Sequence, residues 1–277
     1  STEVLSLENF SGDYSYVEAG FRFLLSIIRV IGSSPFVYNF FMILMPVWTL
    51  WHVTKKLRSD YLVALFVFFT GFYIPYFLNA IGQGLAMLLF LYVMTGWANG
   101  NNKFFRGGWI AILSPLLHKS GFFILLSVIS RSFMSVNKAL MFFVVVFLLD
   151  FLSIPTMVVS MLPLLEGILS YNFINQVSPL DYFYRLALVA FVIVLWRFYF
   201  RDDRFFRLMT ACYVFGFSLF FLVSDFGEVA LRVSLFFRSL ELIIFPYVAS
   251  RLLKVSNRIA FTLLVVVIYT PIWFVNA

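Results

Sequence analysis

Apolar residues in this chain run on without alternation. Continuous stretches of Leu, Ile, Val, Phe and Trp fall near residues 35–53, 61–79, 80–97, 139–162, 182–200, 208–224, 231–250 and 259–276, separated by short polar loops. Runs of about 20 residues match the hydrocarbon thickness of a bilayer at the rise of an α-helix. A membrane β-barrel would show a period of two, which is absent, so helices are predicted. The pattern predicts an all-α polytopic membrane protein of about 8–9 transmembrane helices. No long polar linker divides it, so residues 1–277 are expected to form a single integral membrane domain.

Two stretches break the pattern. Residues 109–130 are apolar on both flanks but hold the polar triplet His118-Lys119-Ser120, with Pro115 and Gly121 as break signals. Residues 17–31 are amphipathic: Phe21, Leu24, Leu25, Ile28 and Ile31 share one face, with Glu18, Arg22 and Arg29 off it. That pattern predicts an interfacial helix lying on the outer, periplasmic surface.

Charge orients the runs. Five loops carry basic residues: Lys55, Lys56 and Arg58; Lys103 and Arg106; Arg131 and Lys138; Arg197, Arg201, Arg204 and Arg207; Arg251, Lys254 and Arg258. The positive-inside rule places all five in the cytoplasm. Both flanks of 109–130 are then on one side, so the segment is expected to enter and return. Each arm has about nine residues, roughly 14 Å of helix and half the hydrocarbon core. A re-entrant helical hairpin over 109–130, with the polar triplet at its tip, satisfies both constraints. A lysine at that depth is costly and usually faces a cavity that uses it.

Composition narrows the classes. The chain is 62% hydrophobic and 12% charged, far from a soluble domain. Its net charge of +7 sits mostly in orienting loops, so no nucleic-acid partner follows. Cys212 is the single cysteine, and His52 and His118 are the two histidines, so no metal site and no cofactor are expected.

Six cations remain: Arg22, Arg29, Lys119, Arg185, Arg232 and Arg238 fall on the outer side or within the membrane. Arginine forks match phosphate oxygens bidentately, so an anionic substrate in the outer leaflet explains the set. The alternative is pairing with the outer acids Glu18, Asp181, Asp225 and Glu228, with Arg232–Glu228 and Arg238–Glu241 at helical spacing. The loop 163–181, with Tyr171, Asn172, Asn175 and Gln176 and followed by Tyr182, has the mixture that suits sugar hydroxyls. Asp150 lies deep in a run, where a bond to a neighbouring helix is the simplest reading.

The run Asn79-Ala-Ile-Gly-Gln-Gly-Leu-Ala-Met-Leu-Leu-Phe-Leu-Tyr92, a basic loop, and then Leu116-Leu117-His118-Lys119-Ser120 resemble the EpsG-type family of polysaccharide polymerases, relatives of the Wzy O-antigen polymerases. The segment Tyr16-Val-Glu-Ala-Gly-Phe-Arg-Phe-Leu-Leu resembles the family's Glu-Pro-Gly-Phe-like segment, and Arg232 fits the arginine that opens a late span in the family. The likeness covers roughly residues 14 to 250. Gly82 departs from it, standing where the family usually has arginine before Gln83. The family also usually has a span before the Glu-Gly segment, so an N-terminal span is expected to be missing.

The resemblance implies a glycosyltransferase that joins undecaprenyl-diphosphate-linked oligosaccharide repeat units at the outer face of the bacterial inner membrane, without a metal. Such a reaction needs cations on the departing diphosphate, for which Arg232, Arg185, Arg238, Lys119 and Arg22 are candidates. It needs a base or orienting group for the acceptor hydroxyl, for which His118, Glu18 and Glu228 are candidates. Gln83 and Asn79, one turn apart, and Ser120 would align the sugars. The implied partners are the lipid-linked oligosaccharides, membrane lipids and a separate chain-length regulator. The rival classes are a transporter or flippase of lipid-linked or anionic solutes, which would share the broken helix, and a membrane acyltransferase with a histidine site. The chain shows no convincing internal repeat of the transporter kind.

Overall fold

The computed structural model describes residues 18–73, 77, 81–98, 109–110, 114–118, 121–122, 124, 135–154, 177, 179–224, 227–253, 257 and 261. Among these, every regular element is a helix. They are α1 Ala19–Ile31, α2 Pro35–Leu57, α3 Tyr61–Gly71, α4 Ile81–Ala98, α5 Val136–Phe151, α6 Pro179–Phe198, α7 Arg204–Leu222, α8 Gly227–Arg238 and α9 Glu241–Leu252.

Local chemistry explains the starts. Ser34 caps α2 by accepting from Val37 N, and Pro35 supplies a preset φ at the first helical position. Asp60 caps α3 through Leu62 N and Val63 N, Ser135 caps α5 through Lys138 N, and Asp203 caps α7 through Phe206 N. Asp60 and Asp203 stand in basic loops between two described helices, so the same short segments end one helix, start the next and carry orienting charge. Lys55 and Lys56 in the last turn of α2, and Arg251 in that of α9, complement the helix dipole.

Three helices are long and apolar enough to cross a membrane: Pro35–Leu57, Pro179–Phe198 and Arg204–Leu222. Tyr61–Gly71 and Ile81–Trp97 are apolar but shorter. The expected all-helical membrane architecture is present. Of the predicted runs, nearly all of 259–276 lies outside the described residues, as does the greater part of 109–130. Large apolar side chains face outward on α2 (Phe36, Trp48), α5 (Met141, Leu148, Phe151) and α6 (Phe183, Phe198), as lipid-facing surfaces do.

The chain forms two compact units, residues 1–128 with 241–277, and residues 129–240. In the first, α3 packs on α9 and α2, and α2 on α4. Leu50, Val53, Ala64, Val67, Phe90, Met94, Ile243 and Ile244 fill its core. Asp60 N donates to the Pro246 carbonyl at 3.3 Å, tying the start of α3 to α9. In the second, α7 is the centre, packed by α5, α8 and α6. Phe206, Phe217, Phe220, Phe221 and Phe236 are fully buried there. Gly216 permits the α7–α8 contact, since a Cβ would stand 2.0 Å from the Phe237 ring.

Two expectations change. The apolar run 231–250 is not one helix. It breaks at Ser239–Leu240, where Ser239 Oγ donates to the Phe236 carbonyl at 2.6 Å, and α8 and α9 belong to different units. The polar residues Arg238, Ser239 and Glu241 interrupt what mean hydropathy reads as continuous. The second change concerns α1. It is amphipathic as expected, but its exposed residues are Ala19, Phe23, Ile27, Val30 and Ile31, all of them apolar. Of the expected apolar face, Phe21, Leu24, Leu25 and Ile28 are partly or fully covered and Ile31 is exposed. Arg22 and Arg29 lie off the exposed arc, on its half-buried side. An apolar outward arc is the arrangement lipid rewards, and it reverses the rule for a water-facing helix.

Candidate functional site

In the first unit the chain reverses at His118. Ser114–Leu117 is helical, and His118 N still donates to the Ser114 carbonyl at 3.2 Å. Helicity then stops. Gly121 N donates to the His118 carbonyl at 2.8 Å, and Ser114 Oγ donates to the Gly121 carbonyl at 2.9 Å. Residues seven apart in a continuous helix stand about 10 Å apart along its axis. Here they touch, and a Cβ on Gly121 would lie 2.3 Å from the Ser114 carbonyl carbon. Gly121 is therefore required by a close backbone approach, and the predicted break is a real change of chain direction.

Two helices close on this reversal through glycines. In α1, a Cβ at Gly20 would stand 2.8 Å from the Leu116 carbonyl oxygen. In α4, a Cβ at Gly82 would stand 2.9 Å from the Leu117 carbonyl oxygen and 3.4 Å from His118 Cδ2. The departure at Gly82 thus has a local reason: a hydrogen at this position lets α4 lie against the reversal, where any side chain must pass a carbonyl. Its neighbour Gln83 is buried, 2% exposed.

Glu18 completes the arrangement. It is the N-cap residue of α1, but its side chain makes no capping bond. Its Oε1 lies 4.0 Å from His118 Nε2, both side chains about one-fifth exposed. The carboxylate is placed to stabilise an imidazolium, and the imidazole keeps partial access to solvent or substrate. A histidine with a carboxylate behind it is an arrangement that can take and return a proton.

The second unit holds different polar chemistry. Arg185 in α6 is 2% exposed. Its Nη1 donates to the Asp181 carboxylate at 3.0 Å and to the Asp181 carbonyl at 3.1 Å, its Nε donates to Ser234 Oγ at 3.2 Å, and its guanidinium lies 4.6 Å from the Phe220 ring centre. This is the pairing alternative raised by the sequence. Asp150 accepts from Tyr182 Oη at 2.5 Å and from Ser224 Oγ, so it does bond to neighbouring segments. Arg238 is buried, with its guanidinium 5.5 Å from the Tyr184 ring centre.

Of the residues singled out from the sequence, Glu18 and His118 come together. Arg22 and Gln83 belong to the same unit, on the two helices that close on the reversal. Arg185 and Arg238 belong to the other unit. Asn79, Lys119 and Ser120 lie outside the described residues, as do the side chains of Glu228 and Arg232. Gly20 and Ser114 were missed. An isolated glycine inside the amphipathic pattern of α1 was the available signal.

A family model described as the EpsG family matches residues 2–277. The chain belongs to the EpsG family. Membership makes this EpsG-family chain a membrane protein of polysaccharide synthesis, in a family associated with glycosyltransferase-like polymerase activity. Comparison with curated proteins and with solved structures gave no significant match.

Proposed function

We propose that this EpsG-family protein is a polysaccharide polymerase that joins undecaprenyl-diphosphate-linked oligosaccharide repeat units at the periplasmic or outer face of the bacterial inner membrane. The observation that carries the reading is the Glu18–His118 pair, held 4.0 Å apart at a chain reversal that α1 and α4 approach through glycines. In the proposed reaction the acceptor hydroxyl oxygen attacks the anomeric carbon of the donor. The bond from that carbon to the diphosphate oxygen breaks, and a glycosidic C–O bond forms. His118 takes the hydroxyl proton and Glu18 stabilises the resulting imidazolium. The departing diphosphate keeps the electron pair and is met by positive charge.

Within this reading Gln83, Asn79 and Ser120 are assigned to sugar alignment, and Arg22 and Lys119 to the anion. Arg232, Glu228, Arg185 and Arg238 are assigned from the charge pattern alone. Of these, Arg185 has the least room for such a role, because Asp181 and Ser234 already take its N–H groups. The re-entrant course of 109–130 is part of the same proposal, supported by the reversal at His118.

The test is purified protein in lipid with a lipid-linked oligosaccharide. Polymer ladders are expected from the wild type and none from His118→Ala. Movement of the lipid between leaflets without new glycosidic bonds would instead establish the flippase reading.

A further inference from the structure

The orientation of α1 points to a ligand. Its exposed arc is wholly apolar, with Phe23, Ile27 and Val30 at i, i+4 and i+7 forming a stripe and Val30 87% exposed. Arg22 and Arg29 are also seven residues apart, so they share a face at about 20° from each other, roughly a third of a turn from that stripe. Both are half-buried, and Arg22 Nε and Arg29 Nη1 are shielded from solvent. The hydroxyl between them is spent on the helix, since Ser26 Oγ donates to the Arg22 carbonyl at 3.0 Å. No hydrogen-bond partner meets Arg29 Nη1 among the described residues. A guanidinium N–H that is shielded and unbonded is costly, and native structures rarely leave one so.

The stripe and the cationic row have the polarity of one kind of molecule: an apolar chain carrying a phosphate-bearing head. We propose that α1 is a docking helix for a lipid phosphate. The tail lies along Phe23, Ile27 and Val30 on the lipid side, and the Arg29 guanidinium turns out of its shielded position to donate to a head-group oxygen. A lipid held this way reaches the protein sideways from the leaflet. Its head is then on the helix whose first turn is fixed against the His118 reversal through Gly20. This deepens the proposed function, on which the choice of a lipid diphosphate over a lipid monophosphate rests.

The experiment measures binding to the full chain in nanodiscs of neutral phosphatidylcholine. Four probes are compared: farnesyl diphosphate, farnesol, inorganic diphosphate and phosphatidylglycerol. The wild type is expected to prefer farnesyl diphosphate to farnesol and to inorganic diphosphate. Arg29→Ala and Arg29→Gln should weaken farnesyl diphosphate by about tenfold or more while leaving farnesol unchanged, and Arg29→Lys should recover part of it. Because three variants are compared, loss of folding in one leaves the test intact. Val30→Gln should weaken farnesyl diphosphate and leave inorganic diphosphate unchanged. Competition by phosphatidylglycerol at equal strength would assign the site to bulk lipid phosphates and overturn the diphosphate preference. Unchanged binding in all three Arg29 variants, or inorganic diphosphate binding as well as the farnesyl compound, overturns the proposal. Laddering measured in parallel separates the two readings. Ladders with Arg29-independent binding remove this inference alone. Arg29-dependent binding without wild-type ladders removes the polymerase reading alone.

Discussion

Arg185 in the second unit and His118 in the first both put a polar side chain inside an apolar helical assembly. They are held in opposite ways. Arg185 takes its principal partner from its own helix, at i−4, and adds Ser234 and the face of Phe220. Its surroundings are side chains chosen to satisfy it. His118 is held by backbone: a turn that stops, a glycine that lets the chain fold back on Ser114, and two more glycines that admit α1 and α4. What faces it is a carboxylate at ion-pair distance from a helix start that does not use it as a cap. A buried charge closed by its own neighbours is structural in character. A titratable group held by backbone and backed by a carboxylate is free to change protonation without unravelling its support.

Substitutions can break this contrast, and the largest effect should fall on activity. His118→Ala is expected to lower polymer formation by about 10²–10⁴-fold with an unchanged unfolding midpoint. A parallel loss of stability would make the residue structural, like Arg185. Next is Arg185→Ala, which should cost about 3 kcal/mol by leaving Asp181 without its partner. Thermal unfolding in detergent reads this, and Arg185→Met with Asp181→Leu should restore most of the loss. Gly121→Ala should cost about 1–3 kcal/mol, because its new carbon must displace the Ser114 backbone. Proteolysis near the reversal should rise with it, whereas a substitution at Gly96, with nothing within 4 Å of its Cβ, should leave both readouts unchanged. The smallest effect belongs to a helix cap: Ser135→Ala should cost about 1 kcal/mol in the second unit. It should leave ladder length distribution unaltered.

Much of the fold was legible from local pattern. The basic loops marked boundaries between the apolar runs, where the structure adds the caps Asp60, Ser135 and Asp203, and Pro115 with Gly121 marked the break at His118. Those signals act over a turn or two. What was hidden depends on partners far along the chain. Gly20 and Gly82 meet Leu116 and Leu117, and no window of sequence joins those positions. The face of α1 was hidden for another reason. Two apolar arcs fit its sequence, and only packing decides which one meets lipid. The run 231–250 was misread because averaging hydropathy hides a three-residue polar interruption. Asp181 stood among the outer acids that could pair with the cations, but Ser234, which completes the arginine's surroundings, comes from another helix.

The division of the chain has a consequence for synthesis. Residues 129–240 are contiguous, so the second unit holds all of its own sequence once they have left the ribosome. The first unit does not: α3 packs against α9, and the amide of Asp60 waits for the carbonyl of Pro246. At typical translation rates α3 would wait roughly 9–36 s before α9 begins to be made. The later unit is thus poised to mature first, and the first unit, which holds the candidate active site, is the last part of the described chain to close.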